Sequence, residues 1–233
     1  MKTIGILGGM SHESTAHYYR LINEGVRTRL GGLHSARIAL ISVDFATIEP
    51  LQAGDEWDAA GALLAADARR IEAAGADFLL LATNTMHRCA DIIAAAIDIP
   101  LLHLADATAE AVEAAGVRRV ALLGTRYTME QPFYRERLER RGLQVDVPSS
   151  GDRGELNRII FEELCQGTTR ADSRATLQRM IDHAGGAGAE AVIAGCTEIT
   201  MLVDAADSPL PLFDTTAIHA HAAVARALED AAV

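Results

Sequence analysis

Short, continuous runs of apolar residues recur along the chain, separated by longer segments in which apolar residues follow a helical spacing. The runs do not alternate with polar residues, which is typical of parallel strands that are covered on both faces. Alanine-rich segments between them, such as 57–74 and 173–184, predict helices. The alternation predicts an α/β fold with parallel sheets and helices on both faces. The predicted strands are Thr3–Leu7, Ile38–Val43, Asp77–Ala82, Leu101–Leu104, Val120–Leu123, Leu143–Val147, Ala191–Ala194 and Leu210–Phe213.

The same pattern occurs twice. Three pairs of segments match in the same order: Thr3–Gly9 with Arg119–Thr125, 75–83 with 188–196, and 99–102 with 210–213. We therefore predict two pseudo-symmetric, doubly wound lobes, at residues 1–97 and 98–210. The last strand and a C-terminal helix, residues 211–233, are expected to fold back on the first lobe.

The repeat makes Thr83 and Cys196 equivalent, because each ends the third strand of its lobe. Ligands of open parallel sheets bind beyond the carboxyl ends of the strands. We therefore expect the active site in the cleft between the lobes, with these two side chains on opposite sides of one substrate.

Cys196 stands directly after a predicted strand and before a predicted helix start, and Thr197 and Glu198 follow it. Helix N-termini favour anions, so its pKa is expected to fall below about 8.5, the value of a free thiol. Cys196 is then a base or a nucleophile. Cys89 and Cys165 are interpreted as small buried residues that pack inside helices and have no chemical role.

The segment Thr83-Asn84-Thr85 is typical of a helix N-cap, and its equivalence to Cys196 favours a functional interpretation. A threonine hydroxyl is a poor acid and base without a proton partner. His87, four residues further on, and Glu198 are two alternative relays for it.

Loops after the first strand of each lobe are candidates for carboxylate recognition through backbone N–H groups. They contain Met10 and Ser11 in the first lobe and Thr125 and Arg126 in the second. His219, just past the last strand, is a second-tier candidate. Its neighbour His221 points to another helix face, so a shared metal is not expected. Neither a dinucleotide fingerprint nor a P-loop occurs.

The net charge and the lysine content argue against several classes of function. The formal charge of −11 argues against binding to nucleic acid or to an anionic membrane. Lys2 is the only lysine, which excludes a pyridoxal-phosphate enzyme with a buried Schiff-base lysine. The chain has no apolar stretch of membrane-spanning length and no cysteine framework, so a cytoplasmic protein with free thiols is expected.

Several segments together resemble the aspartate/glutamate/hydantoin racemase superfamily, above all its L-aspartate/glutamate-specific branch. They are IGILGGMSHEST, SVDFATIEPLQ, ATNTMHR, HLADAT, LLGTRYTMEQPFY, IIFEEL, AGCTEI and FDTTAIHA. The resemblance implies inversion at Cα without a cofactor, in a homodimer, with an amino acid, L-aspartate or L-glutamate, as the small-molecule substrate.

The resemblance also implies roles for individual residues. Many members carry cysteine at both positions, whereas this chain has Thr83 at the first, as the L-specific branch does. Cys196 then removes the proton of the L-amino acid, and Thr83 delivers a proton to the other face. Some aspartate racemases hold the distal carboxylate with a second-lobe lysine, which is absent here; Gln52, Arg126 and backbone N–H groups are the candidates instead.

Two other functions fit the same residues. A decarboxylase or cis–trans isomerase of this superfamily needs one cysteine, which Cys196 supplies. A binding or regulatory protein keeps the site without turnover. An unsaturated or malonate-type substrate selects the first alternative, and ligand stabilisation without exchange selects the second.

Overall fold

The computed structural model describes residues 1–206 and 208–229. Within these ranges the strands form two four-stranded parallel sheets flanked by helices, which confirms the predicted α/β class. The chain divides into two compact units. The first comprises Met1–Leu104 together with the segment from His219 onward, and the second comprises Ala105–Ile218.

The sheet of the first unit has the order β2-β1-β3-β4, with every neighbouring pair parallel. Its strands are β1 Ile4–Gly8, β2 Ile38–Ser42, β3 Phe78–Leu81 and β4 Leu101–Leu102. The helices between them are α1 His12–Leu30, α2 Phe45–Ala53, α3 Trp57–Ala73, the 3₁₀ helix Thr85–Cys89 and α4 Ala90–Ala94. The central strands β1 and β3 are fully buried, which explains their continuous apolar sequences.

The second unit repeats this topology, with the order β6-β5-β7-β8. Its strands are β5 Arg119–Gly124, β6 Gln144–Asp146, β7 Ala191–Gly195 and β8 Leu212–Asp214. The remaining helices are α5 Leu104–Ala114, α6 Arg126–Glu130, α7 Pro132–Glu139, α8 Ser150–Glu162, the 3₁₀ helix Leu164–Gln166, α9 Ala171–Gly186, the 3₁₀ helix Thr197–Met201 and α10 Thr215–Leu228. The identical strand orders confirm the internal repeat.

The unit boundaries differ from the predicted ones. β4 pairs with β3, with Leu79 opposite Leu101, so the first unit continues to Leu104 rather than ending at residue 97. The fourth strand completes the first sheet before the chain leaves that unit. β8 likewise belongs to the second sheet, and only the segment from His219 returns to the first unit. The predicted helix at 214–233 is observed as α10, and its residues 230–233 lie outside the described part of the chain.

The C-terminal helix contributes to the core of the first unit. Its buried alanines and Val224 pack with residues of β1, β3 and α1, including Ile4 and Ile22. Over the described ranges, none of the helices combines the length and the apolar character that a membrane crossing requires.

Candidate active site

Thr83 follows β3 in the first unit and is 7% exposed. Asn84 and Thr85, which come next, are also buried, and the 3₁₀ helix begins at Thr85. The Ser14 hydroxyl in α1 donates to the carbonyl oxygen of Ala82 at 3.3 Å, which ties the end of β3 to the start of α1. The sequence therefore places a hydroxyl at the carboxyl end of a central strand, as predicted, on a buried segment that is hydrogen-bonded to α1.

His87 binds the backbone of Thr83 rather than its hydroxyl. The Nδ1 atom of His87 lies 2.7 Å from the carbonyl oxygen of Thr83, and the backbone N–H of Leu104 points at Nε2 from 3.2 Å. A carbonyl can only accept and a backbone N–H can only donate, so the ring is neutral with its proton on Nδ1. In this arrangement both ring nitrogens are occupied, so the relay suggested from the sequence is not formed.

His219 is completely buried in the first unit. Its Nε2–H donates to the carbonyl oxygen of Leu102 at 2.9 Å, and its Nδ1 accepts from the Tyr18 hydroxyl at 3.0 Å. Burial lowers the pKa of His219 from 6.5 to about 4, and the bond to Leu102 offsets part of that effect. His219 is therefore a neutral member of a buried hydrogen-bond network.

Acid is expected to destabilise the protein through His219. Between pH 6.5 and about 4 the unfolded chain binds a proton at this residue that the folded chain does not. Stability is therefore lost as pH falls through this window, by at most about 3 to 4 kcal/mol from this group. Urea unfolding at several pH values should show a weaker acid dependence in His219→Gln than in the wild type. The exposed His221, changed to Gln on the same helix, is the control, and equal slopes in all three proteins would contradict the assignment.

In the loop after β1, a backbone N–H group that was expected to be available for a carboxylate already forms a hydrogen bond within the protein. The N–H of Gly9 donates to the Thr15 hydroxyl at 2.8 Å, so it is not a bare donor for a carboxylate. Ser11 is the N-cap of α1 and accepts the N–H of Ser14. Met10 is buried. The prediction that free N–H groups of this loop bind a carboxylate is therefore wrong at Gly9, because Thr15 in the first turn of α1 already accepts its N–H.

Gln52 is a buried polar residue of the first unit. It lies in α2, which follows β2, and its side chain is 4% exposed. It remains a candidate for binding a carboxylate through its amide N–H.

Cys196 follows β7 in the second unit and is 8% exposed. Its Sγ–H donates to Oε2 of Glu198 at 2.9 Å. Burial raises the pKa of the Cys196 thiol well above its ordinary value, and the negative charge of Glu198 raises it further. The predicted lowering of this pKa is wrong, because only a five-residue 3₁₀ helix follows Cys196 and a carboxylate lies against the sulfur. At rest the residue is a thiol.

The other two cysteines also differ from the prediction. Cys89 and Cys165 lie in 3₁₀ helices rather than inside α-helices, and Cys165 is exposed. Cys89 is buried as expected, and its thiol donates to the carbonyl oxygen of Trp57. Burial raises the pKa of the Cys89 thiol to about 11.

Candidate binding residues of the second unit occupy the ends of β5 and β7. Thr125 is the N-cap of α6 and accepts the N–H of Thr128. The Arg126 guanidinium is 58% exposed and lies 3.2 Å from Glu130, so a substrate carboxylate would compete with that pair. Thr197 directly follows Cys196, and its hydroxyl lies 3.5 Å from that of Thr216.

Three histidines of the first unit, His87, His103 and His219, form a cluster that the sequence did not predict. The rings of His87 and His103 have centroids 4.5 Å apart, and those of His87 and His219 are 5.9 Å apart. Tyr18 completes the group, with its ring 5.7 Å from that of His219. These residues are far apart along the chain, so spacing carried no signal. Among the described residues no group of three or more His, Cys, Asp or Glu side chains is arranged to hold a metal ion.

Comparison with known proteins identifies the family. The model of the Asp/Glu/hydantoin racemase family matches residues 7–223. The broad specificity amino-acid racemase RacX of Bacillus subtilis is 23% identical over 223 residues, which are 95% of this chain and 96% of that protein.

Two crystal structures are also similar to this chain. A candidate Asp/Glu racemase from Yersinia pestis is 53% identical with a TM-score of 0.93, and the match covers 98% of this chain and all of that one. PH1733, an aspartate racemase homologue from Pyrococcus horikoshii, is 35% identical with a TM-score of 0.86, covering 97% and 99% of the two chains. The protein with equivalent strand-end residues Thr83 and Cys196 therefore belongs to the Asp/Glu/hydantoin racemase family.

Proposed function

We propose that the protein inverts L-aspartate or L-glutamate at Cα without a cofactor, exchanging protons through Cys196 on one face and Thr83 on the other. The observation that carries the proposal is that Thr83 and Cys196 follow β3 and β7, the equivalent strands of two sheets with the same order. A two-sided exchange at one carbon requires two such groups. Family membership supports the reaction class.

The thiol at rest indicates how the first step proceeds. Cys196 must lose its proton before it can remove one from Cα, and Glu198 already accepts a hydrogen bond from that thiol. The S–H proton passes to the Glu198 carboxylate, and the thiolate then takes the α-proton of the L-amino acid. Glu198 therefore acts through Cys196. On the other face the Thr83 hydroxyl gives a proton to the carbanion. Water then returns a proton to Thr83, and Glu198 releases to water the proton that it took from the thiol, which restores the starting protonation states.

Substrate carboxylates need local donors, because the net charge of −11 opposes an anionic ligand. Lys2 does not supply one, since it lies at the surface in an ion pair with Glu229. The proposed binding residues of the first unit are Met10, Ser11, Gln52, Asn84 and Thr85. Those of the second unit are Thr125, Arg126 and Thr197.

Glu198→Gln should make the Cys196 thiol more acidic and yet make the enzyme slower. Removing the negative charge lowers the pKa of the thiol, although burial keeps it above the ordinary value. Turnover should nevertheless fall about 10²- to 10⁴-fold, because the proton acceptor is lost. The thiol pKa is measured by the pH dependence of alkylation in a background with Cys89 and Cys165 changed to Ala. An unchanged thiol pKa together with full activity would exclude this role for Glu198.

The proposed function is tested by deuterium incorporation at Cα in heavy water, across both enantiomers of a panel of amino acids and without added cofactor. We expect incorporation into L-aspartate or L-glutamate. Reaction of an unsaturated or malonate-type acid, with amino acids inert, would instead identify a decarboxylase or isomerase. Thermal stabilisation by an amino acid without any exchange would identify a binding protein.

A further inference from the structure

We infer that His87 is a positioning residue for the Thr83 half of the reaction, because its imidazole fixes the carbonyl oxygen of Thr83. The inference rests on the proposed function, in which Thr83 serves one face of the substrate. His87 does not exchange a proton with the substrate in this scheme.

The local backbone explains why an imidazole is needed. In a regular α-helix the N–H of residue 87 would bind the carbonyl oxygen of Thr83. In the observed 3₁₀ helix this N–H instead donates to the carbonyl oxygen of Asn84 at 3.1 Å. The side chain of His87 supplies the missing donor, with Nδ1 at 2.7 Å from the Thr83 oxygen. The residue that carries the reactive hydroxyl is thus held by a side chain.

A chain of hydrogen bonds anchors His87 in turn. Its Nε2 accepts the N–H of Leu104. Two residues earlier, the carbonyl oxygen of Leu102 accepts from His219, which accepts from Tyr18. The backbone on both sides of His103 is therefore hydrogen-bonded to an imidazole: Leu102 to His219 of α10, and Leu104 to His87 of the 3₁₀ helix.

Backbone partners fix the direction of each of these bonds. His87 carries its proton on Nδ1 and His219 on Nε2, so the two neutral rings have opposite tautomers. Both rings are almost completely buried. Buried, fully paired networks of this kind hold their members in one arrangement. The precision of the Thr83 backbone therefore depends on a network that extends to α1 and α10.

Two substitutions separate the two bonds of His87. Asparagine places its amide N–H where Nδ1 stands and keeps the donor to Thr83. Glutamine places its amide oxygen near Nε2, which keeps the acceptor for Leu104 and loses the donor. Each variant therefore retains one bond and loses the other, and the exposed His34, changed to Asn, serves as the control.

The readout is a ratio measured with an L-substrate in heavy water: D-product formed, divided by deuterium gained by the recovered L-substrate. Formation of D-product requires proton delivery from Thr83, whereas exchange into the L-substrate requires only Cys196. A general loss of folded enzyme lowers both rates equally and leaves the ratio unchanged. We expect His87→Gln to lower the ratio at least about tenfold, because small displacements of a reacting group have effects of this size. His87→Asn should stay within about threefold of the wild type, since it keeps the bond that positions Thr83.

Equal ratios in both variants and the wild type, with normal exchange, would overturn this inference alone. A wild-type protein that exchanges neither enantiomer would refute the proposed function, and the role of His87 with it. If His87→Gln does not fold, nitrogen-15 NMR of the wild-type histidines decides. The Nδ1–H tautomer of His87 is expected, and a proton on Nε2 would overturn the inference.

Discussion

Cys196→Ala is expected to abolish α-proton exchange from L-aspartate and L-glutamate, with a loss of at least about 10³-fold. The substitution removes the sulfur that takes the proton, together with the hydrogen bond that the thiol donates to Glu198. Alanine adds no bulk at a residue that is 8% exposed, so the fold should survive. Mass spectrometry of the recovered amino acid measures the exchange.

Cys165→Ala is the matched control, because this exposed cysteine belongs to the same unit and influences the pKa of Cys196, yet the proposal gives it no part in proton transfer. It should retain wild-type exchange. If Cys196→Ala also retains it, Cys196 is not the base. If both variants lose it, circular dichroism and thermal unfolding show whether the second unit has lost its fold.

Thr83→Cys is expected to raise exchange from the D-enantiomer by about 10- to 100-fold, because a thiol is a far better proton acceptor than an alcohol. The variant places thiols at both equivalent strand ends, after β3 and after β7. Exchange from the L-enantiomer should change much less, since Cys196 is untouched. The two rates are compared in heavy water with each pure enantiomer.

Thr83→Ser controls for the lost methyl group, because it keeps a hydroxyl and removes the same branch of the side chain. It should show no gain with the D-enantiomer. A gain in both variants would point to relaxed packing rather than thiol chemistry. No gain in Thr83→Cys, with L-exchange intact, would remove Thr83 from the assignment.

The fold could be predicted from the sequence because buried parallel strands appear in it as continuous runs of apolar residues. Every predicted strand is found within a few residues of its expected position, and the repeated segments correspond to β1 and β5, β3 and β7, and β4 and β8. The unit boundary was missed because strand pairing, which local sequence does not report, assigns β4 to the first sheet.

The chemistry of the site was only partly accessible. The strand-end positions of Thr83 and Cys196 follow from the repeat alone. The predicted acidity of Cys196 had the wrong sign, because the sequence shows that a helix start follows but not how short that helix is. Nor does it show that Glu198 turns back to the sulfur.

The amino-acid sequence by itself thus determined the α/β class, the duplicated topology and the two strand-end residues, since apolar runs and repeated segments are properties of neighbouring positions. Only the tertiary structure decided the protonation of Cys196 and the joining of Tyr18, His87, His103 and His219 into one buried group. Burial, charge proximity and tautomer choice depend on atoms that meet in space from distant parts of the chain. These quantities therefore have no local pattern in the sequence.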